Sequence, residues 1–342
     1  MDEPTGVGTH AALSRSFDPV RLPKAELHVH LEGTLEPELL RTLAERNKLE
    51  IPHAQKAYEF TDAATFFRRY FDNTRVLLTE LDFYDLTMAY LRKAKANNVR
   101  HVELSFEPQM HAERGVALTV AIEGIWNALR DGRNALGVSS HLIMLLRGDR
   151  SVADAAQTLQ AALPYRSRIV AIGLHSSQTG SLAAFQIVFE RARAEGFLTV
   201  AHAGEFGPAS QVREALDLLK VARIDHGIHA MDDPTLVSRL HRQTYPMTVC
   251  PLSDARLGAV DSLRVHPLKR MLAAGLNVSL GSDYPAYVGG YLSDTYRQTA
   301  DALNLTAAEL VTLARNSFTT AFIDDATRER FHEELAAVAA SS

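Results

Sequence analysis

The sequence predicts an α/β chain closed into a single (β/α)8 (TIM) barrel, and three observations carry that reading. Eight short runs rich in apolar and β-branched residues recur along the 342 residues, each separated from the next by a segment with helical periodicity. The runs are nearly continuous in apolar residues, as strands are when helices cover both faces of a parallel sheet. The turn after the first run, HLEGTLEP from His30 to Pro37, lacks the GxGxxG spacing that opens a doubly wound sheet, so a closed barrel is favoured.

Taken in order, residues 1–20 read as a flexible arm and 21–335 as the barrel domain. The first strand covers Ala25–Leu31 inside LPKAELHVHLEG. Side chains of a strand alternate, so His28 and His30 share a face. Two neighbouring buried imidazoles are either core histidines bonded to carbonyls or ligands of a shared metal ion, and at this point both readings stand. Glu36–Lys48 has Leu39, Leu40 and Leu43 at helical spacing. The stretch 57–97 is rich in aromatics and leucines in helical pattern, with Asp82 as a candidate helix cap. The segment 34–98 exceeds one crossover helix and is expected to form a helical insertion capping the C-terminal face. Later strands are expected at 99–107, 139–148, 168–176, 198–205, 223–228, 247–253 and 277–285.

Composition narrows the partners. Formal net charge is −5 with scattered basic residues, which argues against a nucleic-acid or anionic-membrane surface. The single cysteine, Cys250, rules out an internal disulfide and fits a reducing compartment. No basic start with an apolar run opens the chain, and no window approaches eighteen apolar residues, so the expected location is cytoplasmic. A small-molecule substrate is the expected partner, and a homo-oligomer is compatible with the sequence.

All strands of a parallel barrel end at one face, where chemistry gathers. Here those ends carry His28 and His30, then His202 and Glu205, then Asp225, His226 and His229, and finally Asp283. Packing alone does not call for His, His, His and Asp at one rim, whereas a divalent ion does. Three imidazoles and a carboxylate suit zinc, with iron, cobalt or manganese as substitutes, and disfavour magnesium or calcium. With His28, His30, His202 and Asp283 on the ion, an activated water would have His226 to take its proton and Glu205 to protonate the atom that gathers charge.

The motifs LPKAELHVHLEG, VAHAGE, RIDHGI, VCPLS and GSDYP, in this order and spacing, resemble the adenosine/adenine deaminase family of the amidohydrolase superfamily. The resemblance runs from about residue 21 to about 325 and includes RNSFTTAF near the end. It implies one Zn2+ per chain and hydrolytic loss of ammonia from the 6-position of a purine. It marks His28, His30, His202 and Asp283 as metal ligands, Glu205 as the acid for the ring nitrogen, and His226 as the residue that orients and deprotonates the attacking water. HLEG, with Glu32 in place of the aspartate that contacts ribose in the nucleoside enzymes, resembles the free-base adenine branch, as does PAYVGGY.

Three departures fall near the expected substrate. Tyr284 stands where a second aspartate normally follows the metal-binding one, GLHSSQ replaces GLDSSE through His175 and Gln178, and Asp254 replaces the usual asparagine after PLS. Tyr284, Gln178, Glu32 and Asp254 are therefore the candidate substrate-binding residues. The leading expectation is deamination of adenine. The alternatives are an N6-substituted or nucleoside purine or another amino-heterocycle, and, in a different class, a catalytically silent barrel with a binding role. Silence fits poorly with an acid and a base both retained beside intact ligands. A nucleic-acid-editing zinc deaminase needs paired cysteines that this chain lacks.

Overall fold

The apolar runs pair side by side in chain order. In the computed structural model, which describes residues 17–51, 56–175 and 180–341, eight strands form one parallel sheet. They are β1 Lys24–His30, β2 Val99–Phe106, β3 Ser139–Arg147, β4 Ile169–His175, β5 Leu198–Ala203, β6 Arg223–His226, β7 Met247–Val249 and β8 Val278–Leu280. The seam between β8 and β1 is joined by a parallel bridge between Val29 and Asp283. Residues 1–16 of the expected arm and Gln178 lie outside the described residues. Among the described residues, no helix is long and apolar enough to cross a membrane.

The stretch between the first two strands divides by function. Helix Glu80–Ala96 is the crossover helix: it buries Phe83, Leu86 and Leu91 and packs against helix Leu118–Leu136. The two approach closely because Gly124 and Gly132 lack side chains. A Cβ would fall 2.3 Å from the Glu80 carbonyl oxygen at Gly124 and 2.4 Å from Leu91 Cδ1 at Gly132. The cap of Glu80–Ala96 is Thr79 rather than the expected Asp82, which sits three residues in and closes a reciprocal capping box. Helix Ala63–Thr74 runs elsewhere, laying Phe66 and Tyr70 against Tyr284 and Tyr287 in the loop after β8.

The barrel interior is layered. Ile143, Leu145, Ala171 and Val200 form a small apolar plug that packs on Phe322. Beside it the inward Glu103 of β2 accepts from Arg223 Nη1 of β6 at 2.6 Å. Above this floor, toward the strand ends, the interior turns polar.

Candidate active site

Three features of the backbone assemble the mouth. The β1–β2 register shifts between Glu26 and Val29, which marks a bulge. Unbroken alternation would put Glu26 on the face of His28 and His30. Instead the Glu26 carboxylate accepts from Tyr90 of the crossover helix and from Ser282, while the two histidines turn inward. At the seam, Asp283 N–H donates to the His28 carbonyl (3.1 Å) and His30 N–H donates to the Asp283 carbonyl (2.9 Å), so the aspartate is clamped between them. Asp283 (φ 60°) and His226 (φ 66°) both hold left-handed backbone conformations without being glycine, a strain that collects at functional sites.

The result is a tight donor set. His202 Nε2 lies 3.2 Å from both His28 Nε2 and His30 Nε2. Asp283 Oδ1 lies 3.5 Å from His28 Nε2 and 3.3 Å from His30 Nε2. The far sides of the rings fix the protons. Thr248 donates to Asp225 (2.9 Å), so its oxygen accepts from His28 Nδ1–H at 2.9 Å. Glu107 Oε1 accepts from His30 Nδ1–H at 3.1 Å. Both Nε2 atoms are thereby left as bare acceptors aimed at one another and at a carboxylate.

Such an arrangement suits a cation. Neither oxygen of Asp283 has a hydrogen-bond partner although both are buried. Orphaned buried groups of this kind are rare and call for a ligand. Tetrahedral zinc with bonds of about 2.0–2.1 Å separates its donors by about 3.3–3.4 Å. The His28, His30, His202 and Asp283 atoms, all within 4.8 Å of one another, match that spacing in their closest pairs. Burial, with the crowding of neighbouring imidazoles, pushes the His202 pKa well down, and burial lowers that of His28. Both therefore present lone pairs at neutral pH.

Next to this set stand Glu205 and His226, with His226 Nε2 3.6 Å from Glu205 Oε2 and 4.0 Å from Asp283 Oδ2. The orientation of His226 is relayed from behind. Leu268 N–H donates to His266 Nδ1 (3.1 Å), His266 Nε2–H donates to Asp254 Oδ2 (2.9 Å), and Asp254 Oδ1 accepts from His226 Nδ1–H (2.8 Å). Burial raises the Glu205 carboxyl to about 8 despite the pull of His226. It keeps its proton at neutral pH and is an acid in waiting. Burial lowers His226 while the facing Glu205 and Asp254 carboxylates raise it, so Glu205 and His226 share one proton: with that proton on Glu205, His226 Nε2 stays bare and can accept another.

The expected substrate residues separate on inspection. Asp254 differs from its expectation: both oxygens are taken by His226 and His266, so it acts on His226 and offers nothing to a substrate. Glu32 is buried at the mouth, one oxygen bonded to His111 Nε2 (2.7 Å) and the Glu107 amide (3.2 Å), the other without a partner. Tyr284 is buried with its ring stacked on that of His30, centroids 4.5 Å apart. His229 does not join the mouth, staying at the surface on Asp232. Asp225 accepts from the Thr248 hydroxyl that holds His28 and faces His202 Nδ1 across 3.8 Å. Glu107 went unread. A lone glutamate closing an apolar strand was its signal, yet its bonds to His30 and to His175 (2.9 Å) follow only from barrel register.

A parallel (β/α)8 barrel with a buried His/His/His/Asp cluster and an acid beside it at the strand ends defines an amidohydrolase-type enzyme. The model of the adenosine deaminase family matches residues 23–338. An adenine deaminase of Chlorobium phaeobacteroides is 49% identical over 323 residues, 93% of this chain and 96% of that one. One from Acinetobacter baylyi is 47% identical, covering 92% and 96%. Among solved structures, the adenine deaminase of Arthrobacter aurescens superposes with a TM-score of 0.90 at 46% identity, covering 92% of this chain and 98% of that one. An amidohydrolase of Burkholderia ambifaria solved with bound zinc gives 0.87 at 26% identity, covering 97% and 99%. The chain belongs to the adenosine deaminase family. With that family comes hydrolytic deamination at a C–N bond as the reaction class.

Proposed function

We propose that the protein is a zinc-dependent adenine deaminase, releasing the 6-amino group of adenine as ammonia in the cytoplasm. The observation that carries the chemistry is the convergence of four donor atoms within 4.8 Å, with Glu205 and His226 directly beside them. Support for the substrate comes from relatives at 47–49% identity, named adenine deaminases, aligned over more than nine-tenths of both chains.

In this reading His28, His30, His202 and Asp283 would hold the zinc ion. When bound, zinc supplies a water that is nucleophilic at neutral pH. His226, its Nδ1–H kept on Asp254, turns Nε2 toward that water and accepts its proton. Glu205 gives its proton to the ring nitrogen beside the attacked carbon as the C–O bond forms. The C–N bond then breaks: the amino group leaves as ammonia with the proton carried by His226, and as the C=O bond forms the remaining hydroxyl proton returns to Glu205. The unpartnered oxygen of Glu32 accepts from a ring N–H that a ribose would replace, which favours the free base. Tyr284 and Gln178 complete the substrate contacts, and helix Ala63–Thr74 covers the mouth.

The test is ammonia release by purified protein from adenine, adenosine, N6-alkyl adenines and aminopyrimidines. Adenine is expected to give the highest kcat/KM. Turnover of an N6-substituted purine with adenine inert would move the assignment to a modified base.

A further inference from the structure

Glu32 is wholly buried, and its two oxygens are treated differently. Oε1 meets two donors, the Glu107 amide at 3.2 Å and His111 Nε2 at 2.7 Å, while Oε2 has no partner. An oxygen held by two donors sets the plane of the carboxylate and so the place of its fellow. The shorter of the two bonds comes from His111, on the helix Pro108–Ala112 that follows β2.

What keeps His111 in that role lies behind it. Arg114 Nη2 stands 2.8 Å from His111 Nδ1. A guanidinium has donors and no acceptor, so Nδ1 is the bare nitrogen and Nε2 carries the proton that goes to Glu32. The other tautomer would set an N–H against an N–H and a lone pair against a carboxylate. Arg114 is itself placed by two carbonyls. Its Nη1 donates to Met110 (2.7 Å), and its Nη2 also donates to Thr74 (3.0 Å), the last residue of helix Ala63–Thr74. Phe83 of the crossover helix meets the His111 ring edge to face, with centroids 4.9 Å apart. A line of polar contacts thus runs from the end of the helix that covers the mouth through Arg114 and His111 to Glu32. Packing alone would be served by apolar side chains, because a buried carboxylate with one oxygen unmet is costly to keep.

We propose that His111 and Arg114 are positioning residues for substrate choice: Arg114 fixes the tautomer of His111, and His111 aims the free oxygen of Glu32 at a ring N–H, so the pair sets the preference for a free purine base over a 9-substituted one. This rests on the purine reading above, in which Glu32 takes that N–H. Both residues act through Glu32 alone, apart from the donor set, Glu205 and His226.

The experiment compares adenine with 9-methyladenine on the metal-loaded enzyme, read as KM, or as Ki where the methylated base is not turned over. His111→Ala is expected to raise KM for adenine about tenfold and to leave the value for 9-methyladenine unchanged. Metal content and kcat hold, since the bond to Glu32 is the same before and during the reaction. His111→Gln, whose amide can both accept from Arg114 and donate to Glu32, restores most of the loss. In a Glu32→Ala background, His111→Ala adds nothing further, because its only route to the substrate is gone. A merely structural role would lower kcat or metal content and weaken both bases alike. Equal losses on the two bases, or multiplicative effects with Glu32→Ala, would overturn the proposal.

A spectroscopic arm is independent of substrate. Long-range proton–nitrogen correlation spectra of protein labelled with 15N-histidine should show His111, assigned by its loss in His111→Gln, with Nδ1 bare and Nε2 protonated. Arg114→Met should release that single tautomer, and Glu32→Ala should move the Nε2–H resonance upfield. A proton on Nδ1 in the native enzyme would overturn the line of contacts. Equal handling of the two bases by the native enzyme would remove the preference and the task assigned to the pair. Should adenine instead release no ammonia at all, the purine reading fails, while the spectra still decide whether Arg114 and His111 hold Glu32.

Discussion

Two buried polar clusters share the inside of this barrel, and they differ in how far their charges are met. At the floor, Glu103 accepts from Arg223 through one oxygen (2.6 Å) and from the Phe322 amide through the other (2.5 Å). Arg223 also reaches the Leu27 carbonyl, and its guanidinium lies over the Phe322 ring. Burial would raise Glu103, but Arg223 outweighs it and holds the carboxyl at about 2. At the mouth, the same kinds of groups are equally buried, yet both oxygens of Asp283 lack partners and three imidazoles face one another. Arg223 Nε goes without a partner there, with Asp225 Oδ1 3.6 Å away, but the opposite charges meet and the pair fastens the fold. A cluster that leaves its valences open is built around something else.

The difference predicts opposite phenotypes. At the mouth, Glu205→Gln should reduce kcat roughly 10²–10⁴-fold, the range for loss of a general acid. Its melting temperature should stay near that of the native protein, because Glu205 supports no part of the core. Normal turnover in steady-state ammonia release would mean that another group protonates the ring.

At the floor, Arg223→Met should cost about 3–5 kcal/mol in urea unfolding by leaving Glu103 charged and alone. Turnover per folded molecule should change little. Pairing it with Glu103→Gln should return part of the stability. A floor variant that loses activity and keeps its stability would erase the distinction between the two clusters.

The smallest effect sharpens the comparison with a third polar burial. Lys24 begins β1, its ammonium bonded only to the carbonyls of Pro19, Val20 and Leu22 among the described residues, and burial lowers its pKa from 10.5 to about 7. Between those values the unfolded chain binds a proton that the folded chain sheds, so stability rises with pH. The contribution is complete above about 10.5 and lost as pH falls to about 7. Between pH 7 and 9, the native Tm should gain on that of Lys24→Met. Parallel pH profiles of the two proteins would show that Lys24 keeps its charge in the fold.

The barrel was legible because each strand is an apolar run and each ends in polar residues, and those ends supplied His28, His30, His202 and Asp283 directly. The support behind them was not. The β1 bulge that turns Glu26 away, the Glu107 bridge from His30 to His175, and the bond of Asp254 to His226 all depend on how strands far apart in sequence register against one another. Local periodicity carries no record of that register. For the same reason the departures at His175 and Tyr284 read as separate changes until the fold put them in contact.

Metal content and deamination measured on one preparation test the central claim most directly. Protein purified without chelator should carry close to one transition-metal ion per chain, and His202→Ala should lose both the ion and turnover while unfolding at nearly the native temperature. A metal-free preparation that deaminates at the full rate, or a His202→Ala variant that keeps its ion, would contradict the assignment of the open cluster as the catalytic centre.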